Sequence, residues 1–538
     1  MTNRSHHASR TMRLAAAAGL AALLCAAVAG PAAAATKMEG YYSVYTSAEL
    51  SDRNWHFGMP AHYAELKFIN THSQNVESFV RLRVNANNDD DRTTFAEYYT
   101  PPWIAAEGHV KFRTDHTETI LFNRQNHFWI NDEPLFRLIE DWKVKNDNWG
   151  PQSQGVRFEF WDAKPLGFLG NWGGTLIYSD NGGTYDWGEA YPEVADGDDS
   201  VIVRLRNRNW GDRLVGGLTF LRKDWTDTSS EENRDRYKWM HNMVYAADLA
   251  FFPHDLVETG LHLGPIDFEQ SRWTVEAAFS ETPWREHVLN EPTDNSYLFG
   301  AEVRDIHIDK LILHAWHFDF GENFRDYLSG RFDDSREFNR VQNHVEGIFF
   351  VPRKAITAKL SYDHYRKRVA DEPGGGLRPS ESIYAEMYVE FIKGFKGRVA
   401  YNRWHGFDAS SEINDFFTYP GWFGEVSVEN FLAKIRLQGR VRDVGTFRQV
   451  TAFGFDMNVN ITDRLKAYIR MLNVNEETEA RHTMFAQLKY DLGFGAEFYF
   501  EYGDAGQSDN IVYTDWFVQE SNGDNLRDRL ALSFRSWF

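Results

Sequence analysis

A single cysteine, Cys25, occurs in 538 residues, and it lies within the first 35. Beyond that point the chain can form no disulfide framework, thiolate metal site or cysteine nucleophile. Leu24 precedes Cys25 where a lipoprotein signal wants a small residue, so acylation is not expected. Long apolar runs are equally scarce. No stretch of ~20 apolar residues follows residue 35, which excludes transmembrane helices, and mean hydropathy is -0.53. The G-x-S-x-G elbow, the H-E-x-x-H helix and the P-loop are missing too. No enzyme is expected, and the alternative kept open is a hydrolase with a Ser-His pair assembled across strands. Basic charge is in deficit, with 58 Lys and Arg against 78 Asp and Glu, and this disfavours nucleic acid as a partner.

What the chain does have begins at its N-terminus. Residues 1–35 contain no acid, carry Arg4, Arg10 and Arg13, run apolar from Leu14 to Gly30 and offer an A-x-A site within Ala32 to Ala35. This is the pattern of a secretory signal peptide, with Thr36 as the expected mature start. Aromatics then make up 15% of the sequence, far more than a soluble core requires but suited to interfacial girdles.

From about Tyr41 onward, segments of period-two alternation are separated by connections that are short and long in turn. Turns are expected at Asn209 to Asp212, Val351 to Lys354, Gly394 to Gly397, Thr462-Asp463 and Leu492-Gly493. Longer loops fall at Asp180 to Asp199, Gly321 to Arg340, Asp371 to Ser380, Asn475 to Ala480 and Asp504 to Leu526. The last segment, 527–538, sets Leu530, Leu532, Phe534 and Phe538 on one face, with Ala531, Ser533 and Arg535 on the other. A strand between lipid and water needs this alternation.

A chain ending on such a strand, with Phe as its final residue, resembles the outer-membrane β-barrels of Gram-negative bacteria. That resemblance implies a terminal strand that closes the barrel and is read by the outer-membrane assembly machinery. The expected fold is all-β: a transmembrane antiparallel up-and-down barrel over 36–538, of about 24 strands within a range of roughly 18 to 26. Short turns are expected in the periplasm and long loops outside. Phe252 to Gln270 is the segment where an additional strand pair could hide. Energised receptor function is not expected, because such receptors carry a substantial N-terminal plug and alternation here starts at about Tyr41.

Charged residues recur on the polar face of several segments. The basic rows are Arg81 and Arg83; Arg157; Arg204, Arg206 and Arg208; Lys434, Arg436, Arg440 and Arg442; and Lys466 with Arg470. Guanidinium on the lipid face would cost ~2–4 kcal/mol at mid-membrane, so these side chains are expected to line the pore. Glu386, Glu390, Glu497, Glu501, Glu159 and Glu276 are expected to join them. They can brace the wall by cross-strand pairing and set selectivity at the same time. Removing the three N-terminal arginines takes the net charge from -20 to -23. The acid therefore concentrates in loops such as Asn88 to Asp91 and Asp196 to Asp199. Those clusters lack EF-hand spacing and read as solvated loop rather than Ca²⁺ sites. His307, His314 and His317 are close in sequence, but His314 and His317 fall on opposite faces of a strand, so neither a metal nor any other cofactor is expected.

Thr119 to Phe160 carries the remaining motif. Leu121-Phe122-Asn123-Arg124-Gln125 leads into a Trp-rich segment holding Trp129, Trp142 and Trp149, and the chain returns as Gln154-Gly155-Val156-Arg157-Phe158. Over about forty residues this arrangement resembles porin-type and alginate-export channels, which implies a long loop that folds into the lumen and narrows it. Ile130, Leu135, Phe136, Leu138 and Ile139 suit a tucked loop better than a solvated tip. The expected function is a porin-like channel for passive diffusion of small hydrophilic solutes, saccharides or anions. The alternative is a scaffold barrel enclosing a partner, either an electron-carrier protein or an exported polymer.

Overall fold

The computed structural model describes residues 35–51, 54–57, 61–86, 103–123, 135–136, 138, 153–164, 170–181, 198–209, 213–225, 240–253, 262–282, 294–322, 324, 339–351, 355–368, 378–408, 415–446, 449–475, 480–503 and 529–538. Twenty-four strands, each antiparallel to its neighbours, form one continuous wall that closes where Ala35–Ser51 pairs with Arg529–Trp537. Three shorter strands, Asn54–Phe57, His262–Leu263 and Ile266–Asp267, are appended to that wall. Many wall strands, such as Val76–Ala86 and Ser153–Ala163, are 11 residues long. That length suits a tilted strand crossing a bilayer.

The pleat separates the two faces. Leu176, Tyr178, Leu218, Tyr245, Leu249, Val275, Phe279 and Phe299 are exposed on one face. The alternate positions hold Thr175, Ser179, Arg204, Thr219, Glu276 and Ser280, all buried. Exposed large apolar side chains around the whole circumference, with polar groups turned inward, make the exterior a lipid face and the interior a polar lumen. A closed sheet leaves no unpaired edge, which is what a strand-built membrane protein requires. The molecule is a transmembrane β-barrel of the bacterial outer membrane.

Short and long connections alternate around the barrel. Tight turns join Ser380–Ile392 to Phe395–Asp408, Val450–Asn460 to Leu465–Asn475, and Ala480–Gly493 to Ala496–Gly503, and only four residues separate Arg340–Val351 from Ile356–Lys367. Both ends of the wall lie on this turn rim, because Gly40 N–H donates to the Phe538 carbonyl at 2.5 Å and Phe538 N–H returns a bond to Gly40 at 3.0 Å. The Phe538 ring lies on Gly40, where any Cβ would collide with it.

Two details differ from the sequence expectations, and one open point is resolved. Within Phe252 to Gln270 an additional strand pair is present, but outside the wall: His262–Leu263 and Ile266–Asp267 form a small hairpin, turned at Gly264 with φ +64° and laid against the turn-rim end of Asp294–Ile308. The turn expected at Leu492-Gly493 lies two residues later, at Phe494-Gly495. Phe494 there adopts φ +58°, between Gly493 and Gly495 in the same region. The first strand begins at Ala35 rather than near Tyr41, since its turn-rim end pairs with Ala61–Ser73.

Candidate functional site in the barrel lumen

One segment of the 126–153 connection enters the barrel. Phe136 is fully buried and Leu138 nearly so, together with the inward residues Ala246, Ala278, Leu298, Phe318 and Phe320. The Phe136 ring packs against those of Phe318 and Phe320 at centroid distances of 5.1 and 6.2 Å. Gly300 makes room for it, since a Cβ at that position would run into Phe136 and Leu135. The Phe136 N–H donates to Glu276 Oε2 at 2.6 Å. The segment is thus held at its backbone by a carboxylate and at its side chains by an apolar patch, a combination that a polar lumen offers nowhere by chance. Trp129, Trp142 and Trp149 lie outside the described residues.

Glu276 belongs to a ladder of charges running from strand to strand. It faces Asp248 across the pairing of Arg272–Thr282 with Met240–Phe251. Arg204 reaches over Gly217, where a side chain would block it, to pair with Asp248. It also donates to Thr219 Oγ1 at 3.0 Å. Further along, Arg157 Nη2 donates to Glu159 Oε2 at 2.7 Å, with Glu118 Oε1 3.7 Å from its other nitrogen. Arg113 caps Glu118 at 2.5 Å, and Arg206 lies 4.0 Å from Glu159. Arg157 and Arg204 are 1% exposed, so both are braces whose charges are spent within the wall.

A second arc is more open. His344 stacks on Trp316 at 5.0 Å, and its Nδ1 lies 2.7 Å from Asp363. Lys359 pairs with Glu346 at 2.5 Å and Arg398 with Glu386 at 2.9 Å. Tyr384 also donates to Glu386. Gln438 donates to Glu425 at 2.5 Å, while Arg436 pairs with Asp456 at 2.6 Å and lies 4.0 Å from Glu425. Between these pairs opens a cleft of about 750 Å³ lined by Lys359, Ser382, Tyr384, Glu386, Tyr388, Arg398, Asn402 and Glu425.

The residues singled out from the sequence fall as follows. Arg81 pairs with Glu107, and Arg83 stands two positions on, opposite Glu65. Arg157, Arg204 and Arg206 occupy the ladder, and Arg208 ends the same row, exposed near the turn rim. Lys434, Arg436, Arg440 and Arg442 share the face opposite the exposed Leu437. Lys466 and the buried Arg470 share the face opposite Met471, with Arg470 registered against Asp456. Glu386 borders the cleft, and Glu390 Oε1 accepts from the Gly394 N–H at 3.0 Å in the turn. Glu497 accepts from Tyr499 and pairs with Lys489 at 2.6 Å, while Glu501 accepts from Gln487 at 2.6 Å. All lie on the inward-facing parity of their strands. Sequence reasoning missed Glu107, Glu118, Asp248, Arg398, Asn402, Glu425 and Asp456. Asp248 was signalled as a lone acid in the apolar strand MHNMVYAADLAF, whereas the others lie on strands that hold no chosen residue and meet the chosen ones only across the sheet. Asp305 breaks that rule. A bulge between Val303 and Ile306, with Asp305 at φ +58°, lets it reach His314 Nε2 at 3.2 Å. Among the described residues no group of three or more His, Cys, Asp or Glu side chains is arranged to hold a metal ion.

No family model and no curated protein matches this chain. Solved structures similar to it include the siderophore receptor PirA from Pseudomonas aeruginosa, at 9% identity and a TM-score of 0.44, covering 93% of this chain and 80% of that one. The ferric-catecholate import receptor Fiu from E. coli K12 has 9% identity and a TM-score of 0.43, with coverages of 93% and 82%. The P pilus usher PapC translocation pore has 9% identity and a TM-score of 0.39, with coverages of 93% and 99%. The barrel assignment rests on the closed sheet and the chemistry of its two faces.

Proposed function

We propose that this barrel is a passive channel for small hydrophilic solutes, exported on a signal peptide over 1–35. The carrying observation is the segment at Leu135 to Leu138, held inside the lumen by Glu276 and an apolar patch. A 24-stranded wall encloses a bore too wide to discriminate small solutes, and an inserted, anchored segment is the means of narrowing it. The charges lining the wall support the same reading, because they are the groups a hydrated solute meets on its way through. No catalytic step is part of this function.

The test is conductance of the refolded barrel in a planar bilayer. Discrete single-channel steps are expected, with larger steps once the inserted segment is released. A folded barrel that stays closed to ions under all voltages would instead favour the enclosed-partner scaffold.

A further inference from the structure

We propose that the cleft between Lys359 and Glu425, on the inner face of the wall, is a binding site for neutral saccharides. The proposal rests on the channel reading only in that a solute must be able to enter the lumen.

The cleft follows from the sizes of residues in register. Along one row of the sheet, Glu346, Ser361, Tyr384, Asn402 and Gly421 stand opposite one another on successive strands. In the next, Lys359, Glu386, Ala400 and Phe423 do so. Ser361, Ala400 and Gly421 are small, so the longer side chains around them rim a depression instead of closing over it. Gly421 matters most, because a Cβ there would come within 2.5 Å of Asn402 Oδ1. A volume of about 750 Å³ is within the ~300–1,000 Å³ usual for small-molecule sites.

The chemistry of the rim selects the ligand. Its lining carries two bases, Lys359 and Arg398, and two acids, Glu386 and Glu425. Arg398 pairs with Glu386 and Lys359 with Glu346, while Glu425 accepts from Gln438, so the lining has no net sign to attract an anion or a cation. What it presents is a dense set of donors and acceptors with planar geometry: carboxylates, a guanidinium and the Asn402 amide. Such groups bond adjacent hydroxyls in pairs. Tyr384 and Tyr388 add ring surface, and Trp404 with Tyr419, at a centroid distance of 5.6 Å, forms an aromatic edge one row toward the loop rim. Flat apolar ring faces beside planar hydrogen-bonding groups match a pyranose, which is apolar on its faces and hydroxylated around its edge.

The experiment is ligand-observed saturation-transfer NMR on the refolded barrel in detergent micelles, with maltose and lactose as neutral probes and glucuronate and glucosamine as charged ones. Transfer to the neutral sugars is expected, with apparent affinity at least ten-fold above that for the charged pair. Asn402→Ala should weaken it at least ten-fold. Gly421→Val, which fills the cleft without removing a polar group, should do the same. Heat-modifiable electrophoretic mobility identifies the folded barrel for each variant. No transfer to either neutral sugar, a preference for a charged one, or unaltered binding in both folded variants would overturn the proposal. Because this readout needs no ion flow, a barrel that binds sugar but does not conduct refutes the channel reading alone.

Discussion

Arg204 is the residue on which wall chemistry and wall stability meet most directly. Its guanidinium lies over Gly217 and is spent on Asp248 and Thr219, with almost no access to solvent. Removing one partner of such a pair leaves the other charge buried and uncompensated, a loss of about 3–5 kcal/mol in comparable sites. Arg204→Ala is therefore expected to lower the urea-unfolding midpoint of the barrel in lipid vesicles markedly. The double variant Arg204→Met with Asp248→Leu should recover most of the loss, because it removes both charges together. A single variant as stable as the parent would show that Arg204 does not brace the wall. The sequence showed Arg204 as an inward charge but not as a spent one. That depends on Gly217 being small on the neighbouring strand, and alternation within one strand carries no information about the next.

At the scale of the element, the inserted segment is the part of the molecule that sequence reasoning placed by polarity alone. Apolar residues in a nominal loop argued for tucking inward, and Phe136 and Leu138 are indeed buried against the wall. What polarity could not reveal was the anchor, since Glu276 lies 140 residues away in sequence. Two substitutions should free the segment by independent routes. Glu276→Ala removes the acceptor of the Phe136 N–H, and Gly300→Leu fills the space that the Phe136 and Leu135 side chains occupy. Each should raise single-channel conductance. With Cys25 in the first 35 residues and no other thiol in the chain, a Leu135→Cys reporter should give a background-free label. Its reaction with a membrane-impermeant thiol reagent should speed up several-fold in both release variants. Deletion of residues 130–148, rejoined by a Gly-Ser turn, should match them in conductance. Conductance unchanged from the parent barrel in all of these folded variants would put the constriction elsewhere. The bulge at Asp305 is a different kind of miss: one extra residue shifts the parity of everything beyond it, and nothing in the local pattern announces it.

The whole molecule is defined by closure and by the charge it encloses. Closure was legible from the segment 527–538, because its alternation gives one lipid-facing and one polar face. The strand count followed from the rhythm of turns and loops, and the pair that Phe252 to Gln270 could hide is the small hairpin on the turn rim. The turn-rim end of the seam is held by the Phe538 ring lying on Gly40, with two backbone bonds between these residues. Deletion of Phe538 and Gly40→Val are both expected to reduce the yield of heat-modifiable barrel. Normal assembly of the two variants would count against the closing-strand reading.

Enclosed charge leads to a prediction about selectivity that the geometry sharpens. Arg436 and Arg440 both lie on the inward face of Ala433–Arg442, but Arg436 is held by Asp456 at 2.6 Å and stands 4.0 Å from Glu425. Replacing both arginines with Gln thus does more than delete two positive charges. It leaves Glu425 without its nearby guanidinium and Asp456 with only Arg470 in register, in a lumen where water screens less than in bulk. The reversal potential measured across a salt gradient should move toward the cation equilibrium potential. Asp456→Asn should move it the opposite way by freeing the field of Arg436. The two shifts should shrink together as salt rises and the Debye length falls from ~10 Å at 0.1 M to ~3 Å at 1 M. If neither substitution moves the reversal potential at low salt while both barrels conduct, these charges serve the wall alone, and selectivity must come from the inserted segment.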